Sequence, residues 1–292
     1  MPKMLNIRTT LFLSLSSLAT SLSAEVLPEA ALGIKIAMAK KPTSRPMSIA
    51  YQPTLKHYYV ADGGLAPMAT EYEAAVSKSQ VHAFDGTGKY VNSAKPGYDS
   101  RSIYFNPNTN KIETITYNIS SDVGFSPNTG IYALEMTEQG EVKDSSTEVS
   151  QFNPAFGDAG TAPSYDAANK RYFAKQERSN KVFIVDPTKR EKVAEIALEL
   201  DKAGVLFDDI SDHFVAYTGV IGNELVLLDV DHKAALVFDA TGKFVAKSEL
   251  PKDLKLRSQN HFNGIGYTNN MLFFYHEGEG EFGTFHGYQV VK

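Results

Sequence analysis

The chain has 292 residues, with 29 basic and 34 acidic side chains and neither Cys nor Trp. A formal net charge of −5, without clustered Lys and Arg, excludes an ordinary nucleic-acid binder, whose phosphate partner demands a basic patch. The lack of Cys excludes disulfide staples, a thiol nucleophile and a lipid-acceptor Cys, so stability has to come from burial.

Residues 1–24 read as an export signal. Lys3 and Arg8 give a basic start, Leu11 to Leu22 an apolar stretch broken by Ser and Thr, and Ala24 suits cleavage. That stretch is too short and Ser-rich to span a bilayer stably. A periplasmic or secreted protein is expected, with one domain over 25–292 and no membrane span. Cleavage removes Lys3 and Arg8 and no acidic group, which leaves 27 basic against 34 acidic side chains, a net of −7.

After the signal, Gly33 to Lys40 alternates in the period-two manner of a strand. A unit of about fifty residues then returns five times. Its first part is a strand pair around a polar turn: Ser48–Tyr51 and Tyr58–Ala61 around Gln52 to Lys56, then Ser102–Phe105 and Ile112–Ile115 around Asn106 to Asn110. Later copies are Pro163–Tyr165 with Arg171–Ala174, Phe214–Tyr217 with Leu225–Leu228, and Gly264–Tyr267 with Leu272–Tyr275. Its second part is a strand, a tight turn and another strand, as in Val81 to Lys89, Ile131 to Glu141, Val182 to Glu191 and Ala235 to Lys243. Aromatic and β-branched runs between Pro, Asn, Asp and Gly turns make antiparallel meanders. The run Arg190 to Lys202 has some helical character, but its place in the repeat favours a strand at 192–198.

Four strands per unit, lettered a to d from the axis outward, leave the fifth unit one strand short at Lys292. The strand at 33–40 is expected to complete it and so cover a bare sheet edge. The expected fold is all-β: a five-bladed β-propeller of four-stranded antiparallel blades, closed by an N-terminal strand. The units resemble repeat propellers of the YVTN and NHL types. The resemblance lies in Tyr51 to Val60, which alternates with Val81 to Lys89. It implies blade packing and turns; propellers of this kind include lactone hydrolases, sugar-binding modules and interaction platforms.

The a–b and c–d turns are short, whereas the long segments, such as 63–79, 118–129, 148–162, 199–211 and 251–259, are b–c and d–a connections. Both of those emerge on one face, where a rigid scaffold usually carries function. Polar residues gather at or just ahead of the starts of the inner strands on that face: Arg45, Asp99, Arg101, Tyr165, Asp212, His213, His261 and Asn263. Converging at a funnel, they would bind a small anionic ligand or hold a divalent cation, for which Asp99, Asp212, His213 and His261 are the candidate ligands. They would equally serve as hydrogen-bonding partners around a water-filled axis. His276 to Glu281, with His286 beyond, forms a second acidic and His-bearing stretch, and Asp229–Val230–Asp231 suits turn chemistry. Glycosidase chemistry would rest on Asp99 and Asp212 without a Trp platform. No Walker, GxGxxG or GxSxG motif is present. The leading expectation is therefore a non-catalytic protein that binds a small molecule or a protein on the b–c and d–a face. The alternative is a metal-assisted lactone or ester hydrolase at the funnel.

Overall fold

In every unit, residues facing both sides of a strand are apolar, which only a sheet covered on both faces can satisfy. The computed structural model describes residues 24–42, 46–62, 79–97, 100–116, 130–151, 155–158, 160–210, 213–256 and 264–292; the side chains of 46, 47 and 101 lie outside that description. Strand β1 (Val26–Ala37) precedes a four-stranded antiparallel sheet of β2 (Pro46–Gln52), β3 (His57–Asp62), β4 (Gln80–Asp85) and β5 (Tyr90–Ala94). A second sheet follows with β6 (Ser100–Asn106), β7 (Lys111–Thr116), β8 (Gly130–Met136) and β9 (Val142–Gln151). A third is built from β10 (Ser164–Asp166), β11 (Arg171–Lys175), β12 (Lys181–Asp186) and β13 (Glu191–Ala197).

The remaining strands are β14 (Ala216–Tyr217), β15 (Leu225–Asp229), β16 (Ala234–Phe238), β17 (Phe244–Glu249), β18 (Gly266–Thr268), β19 (Met271–His276) and β20 (Thr284–Val291). With β1 they form one eight-stranded sheet in the order β14-β15-β16-β17-β1-β20-β19-β18. This sheet divides into two antiparallel halves that meet through one parallel pair, Glu29 with Glu249. Within the second half, β1 runs antiparallel to β20 from Val26 opposite Val291 to Ala37 opposite Thr284, so the chain's first strand does supply the outer strand beside its last. It starts at Val26 rather than Gly33, because register shifts after Val26 and Leu32 let the pairing continue past the alternating stretch. The 190–202 segment resolves into β13 and a helical turn at Leu200–Ala203, ended by Gly204 in the left-handed conformation.

The core is divided among the gaps between these sheets. Tyr59 and Ala61 of β3 pack toward Ile103, Ile112 and Leu134 of the second sheet, while Tyr58 and Val60 point the other way, to Ile36, Phe273 and Phe285. Tyr104 and Ile115 meet Tyr172 and Val185. Phe173 and Ile184 meet Leu225, Leu227 and Leu236. Val226, Leu228 and Val237 meet Leu272, Phe274 and Tyr288. Each gap thus joins consecutive sets of strands, the last returns to the first, and the innermost strands β2, β6, β10, β14 and β18 touch in ring order. This is a β-propeller.

The turn that recurs in the sequence has a physical reason. Asp85 Oδ1 accepts hydrogen bonds from the Thr87 N–H (2.9 Å), the Thr87 hydroxyl (2.6 Å) and the Lys89 N–H (3.1 Å). Asp239 repeats the set with Thr241 and Lys243 at 2.8, 2.7 and 3.1 Å. Gly88 and Gly242 hold φ of 85° and 88°, which side-chain-bearing residues rarely adopt. A Cβ on Gly242 would stand 2.3 Å from the Ala197 carbonyl oxygen, so glycine also lets the turn abut the outer strand of the preceding sheet.

Ile36 of β1 is fully buried while Leu32, on the same strand, is half exposed. We expect Ile36→Ala to cost about 2–5 kcal/mol and Leu32→Ala under about 0.5 kcal/mol, measured by denaturant unfolding. Equal costs would mean that β1 is not packed into the last gap.

Candidate functional site

Every inner strand carries an aromatic residue at the same register. Tyr51 pairs across the ladder with Tyr58, Phe105 with Ile112, Tyr165 with Tyr172, Tyr217 with Leu225 and Tyr267 with Leu272, each near the end of strand a and the beginning of strand b. Because the five strands surround one axis, these rings line one cavity of about 270 Å³. Tyr104, Phe214, Ser48, Ser102, Ser164, Thr268 and Asn269 share its wall, and no described residue that lines it is charged.

The wall is held by contacts between neighbouring inner strands. The Ser48 hydroxyl donates to the Ile103 carbonyl (3.3 Å) and accepts from the Ile103 N–H (3.4 Å). The Ser102 hydroxyl donates to the Pro163 carbonyl, and the Tyr51 N–H donates to Thr268 Oγ1 (2.9 Å). Tyr165 stacks obliquely against Tyr104 and Tyr172, with ring centroids 4.9 Å from each, and Tyr217 lies parallel to Phe173 at 5.1 Å. Ser164 Oγ is buried in the wall, without a hydrogen-bond partner among the described residues.

Behind Tyr104 lies a buried carboxylate. Glu113 accepts from the Tyr104 hydroxyl (2.8 Å), the Asn106 amide (3.0 Å to each oxygen) and the Thr109 hydroxyl (2.9 Å), and the Tyr104 and Tyr172 hydroxyls touch at 2.5 Å. Burial pushes the Tyr104 and Tyr172 phenols well above their ordinary range. On the channel wall, burial raises Tyr267 to about 12, and burial together with the nearby Asp166 charge raises Tyr217 to about 12.

Of the funnel candidates, Arg45, Asp99, Asp212, His261 and Asn263 lie outside the described residues, and Arg101 is described through its backbone alone, in β6. His213 is buried just ahead of β14, where its carbonyl accepts the Ala162 N–H at 2.9 Å and so ties the approach of β10 to that of β14. Asp229 does serve a turn, accepting the His232 N–H at 3.0 Å. The acidic stretch of the last b–c connection brings His276, Glu279 and His286 together. The aromatic ring was open to view in the sequence as one Tyr or Phe per unit, but strand propensity alone accounts for such residues, and the signal for the channel was their common register.

No family model matches the chain, and no curated protein matches it. Among solved structures it is similar to Myxococcus xanthus glutaminyl cyclase (11% identity, TM-score 0.48, 91% of this chain and 99% of that one). It is also similar to the PQQ-bound aldose sugar dehydrogenase of Streptomyces coelicolor (9%, 0.42, 92% and 98%) and to a chain of a nidogen/laminin complex (13%, 0.37, 70% and 63%). At these levels the fold assignment stands on the ring of sheets itself.

The raised tyrosines give a test of the channel. Folding favours their neutral form, so their contribution to stability is whole below the ordinary tyrosine value of about 10 and is lost as pH rises toward about 12. With no Trp in the chain, tyrosinate absorbance reports this directly. We expect part of the 15 tyrosines to ionise late in the folded protein, and the denaturant midpoint to fall over the same alkaline range. Uniform ionisation near the ordinary value would mean a hydrated, open wall.

Proposed function

We propose that this is an exported five-bladed propeller that binds a small, uncharged, ring-bearing or hydroxylated molecule along its axis, without chemical turnover. The count of five takes the two halves of the eight-stranded sheet as separate blades, which fits the five packed gaps. The observation that carries the functional reading is the uncharged channel to which every inner strand contributes an aromatic ring. Aromatic faces suit flat or ring-shaped partners, while Thr268 and Asn269 supply polar atoms for orientation. In this reading Arg45, Asp99, Arg101, Asp212, His213, His261 and Asn263 form the opposite mouth, on the b–c and d–a face. The recognition surface then includes the long connections of that face, and the partner is a small molecule rather than nucleic acid. Export rests on the basic and apolar residues of 1–24. No helix among the described residues is long and apolar enough to cross a membrane.

The test is a ligand-observed NMR screen of neutral monosaccharides, cyclic alcohols and nucleosides against the purified protein. Binding is expected with a Kd insensitive to salt, and Tyr165→Ala and Tyr267→Ala should each weaken it by about tenfold. Turnover of lactones or esters that is lost in Asp212→Ala would replace this reading with a hydrolase. Binding left untouched by both tyrosine variants would move the site off the axis.

A further inference from the structure

Away from the axis, at the outer part of the last set of strands, three side chains converge on one point. His276 ends β19, Glu279 stands in the connection that follows, and His286 lies in the early part of β20. One ligand-type atom from each lies within 4.8 Å of the other two. Glu279 Oε2 is 3.3 Å from His276 Nδ1 and 2.8 Å from His286 Nε2.

Three features separate this cluster from an ordinary surface ion pair. His286 is only 4% exposed, yet its Nε2 makes no aligned hydrogen bond, despite the short approach of the carboxylate. Its other nitrogen, Nδ1, sits 3.2 Å from the Tyr288 hydroxyl. With Nδ1–H donated to that oxygen, the Nε2 lone pair faces a carboxylate oxygen, and a cation between them would satisfy both. The carboxylate is itself held: Lys35 Nζ of β1 takes Oε1 at 2.8 Å, which leaves Oε2 for the cluster. Finally, the three atoms border a cleft of about 250 Å³, also lined by Leu32, Asp253 and Tyr288.

We propose that His276, Glu279 and His286 form a mononuclear site for a divalent transition metal of the zinc class, with a coordination position open to this cleft. Two imidazoles and one carboxylate are a donor set for zinc and its neighbours, whereas calcium and magnesium favour oxygen alone. Tetrahedral zinc with ligands at about 2.0–2.2 Å places donor atoms roughly 3.3–3.5 Å apart, so the 2.8 Å pair has to open by a few tenths of an ångström. His276 makes one exchange. Its Nε2 accepts the Lys255 N–H at 3.3 Å, so in the neutral ring the proton sits on Nδ1. Metal at Nδ1 moves that proton to Nε2 and gives up this weak contact.

The experiment uses untagged full-length protein, stripped with a chelator, returned to chelator-free buffer and titrated calorimetrically with Zn²⁺. One equivalent is expected to bind and to raise Tm, with no comparable shift from Ca²⁺ or Mg²⁺. Co²⁺ in its place should give the intense visible bands of a tetrahedral N/O site. His276→Ala and His286→Ala should each weaken Zn²⁺ binding by at least about 100-fold. Should His286→Ala fail to fold, the partly exposed His276→Ala decides. Absence of a stoichiometric site, or affinity unchanged in His276→Ala, overturns the proposal. None of these readouts depends on what the axial channel binds.

Discussion

The constraint on which the rest of this molecule depends is the free edge of β20. Without a partner there, the last set of strands would lack its outermost member and β20 would offer a row of unpaired main-chain groups to any passing chain. Here the ladder is filled by β1, and the main-chain bonds between Glu25 and Lys292 continue it to the end of the chain. The pairing joins residues separated by nearly the whole sequence, so its loop-closure entropy falls due late in folding. Burial of Ile36 and Met38 against Phe273 and Phe285 is what offsets that cost. At the axis the same gap is closed by contacts between β18 and β2.

Within the sheets, several buried polar groups are joined into networks. Asp62, His82 and Ser93 line up in the first sheet, with His82 Nε2 at 3.0 Å from the Asp62 carboxylate and Nδ1 at 2.7 Å from the Ser93 hydroxyl, which Tyr90 meets at 3.0 Å. The order of residues is that of a hydrolytic triad, but Asp62 and His82 are sealed from solvent and Ser93 is engaged by two partners. A role in joining strands b, c and d is the simpler physical account. Glu113 behaves likewise, spending its lone pairs on Tyr104, Asn106 and Thr109. Such networks rigidify the wall behind the channel, and a wall already in place spares a ligand the entropy of ordering it.

Much of this was legible in the residues, for identifiable reasons. The Asp–x–Thr–Gly–Lys turns could be read because their chemistry is local: one carboxylate, two amides, one hydroxyl and a left-handed glycine, all within five positions. The closing strand could be read because a unit ended one strand short. By contrast, β14 shrinks to Ala216–Tyr217: the Thr218 N–H still bonds the Glu224 carbonyl in register, but the Thr218 hydroxyl turns to the Asn223 carbonyl, and nothing in the local pattern signals so short a strand. Of the channel's rings only Tyr165 stood among the funnel candidates, for a different reason. Polar residues draw attention as site candidates, yet the described wall is made of the aromatic residues that also build strands, and only the register shared by Tyr51, Phe105, Tyr165, Tyr217 and Tyr267 distinguishes lining from packing. The funnel residues, carried on connections without a period, had no such internal check.

The two sites differ in how they use the same scaffold. The channel draws one strand from every set, so its shape is a property of the closed ring and any loosening is shared among all the gaps. The His276, Glu279 and His286 cluster is local to one hairpin, but through Lys35 it is fastened to β1. A cation there would therefore act on the join itself: it would tether β19, β20 and the intervening connection, while the Lys35 ion pair couples that hairpin to the strand whose docking closes the ring. Exposed ion pairs of this kind contribute little alone, whereas a metal bound only by the folded state stabilises it by mass action. The free energy of metal binding would thus be delivered at the place where the fold has paired its two ends.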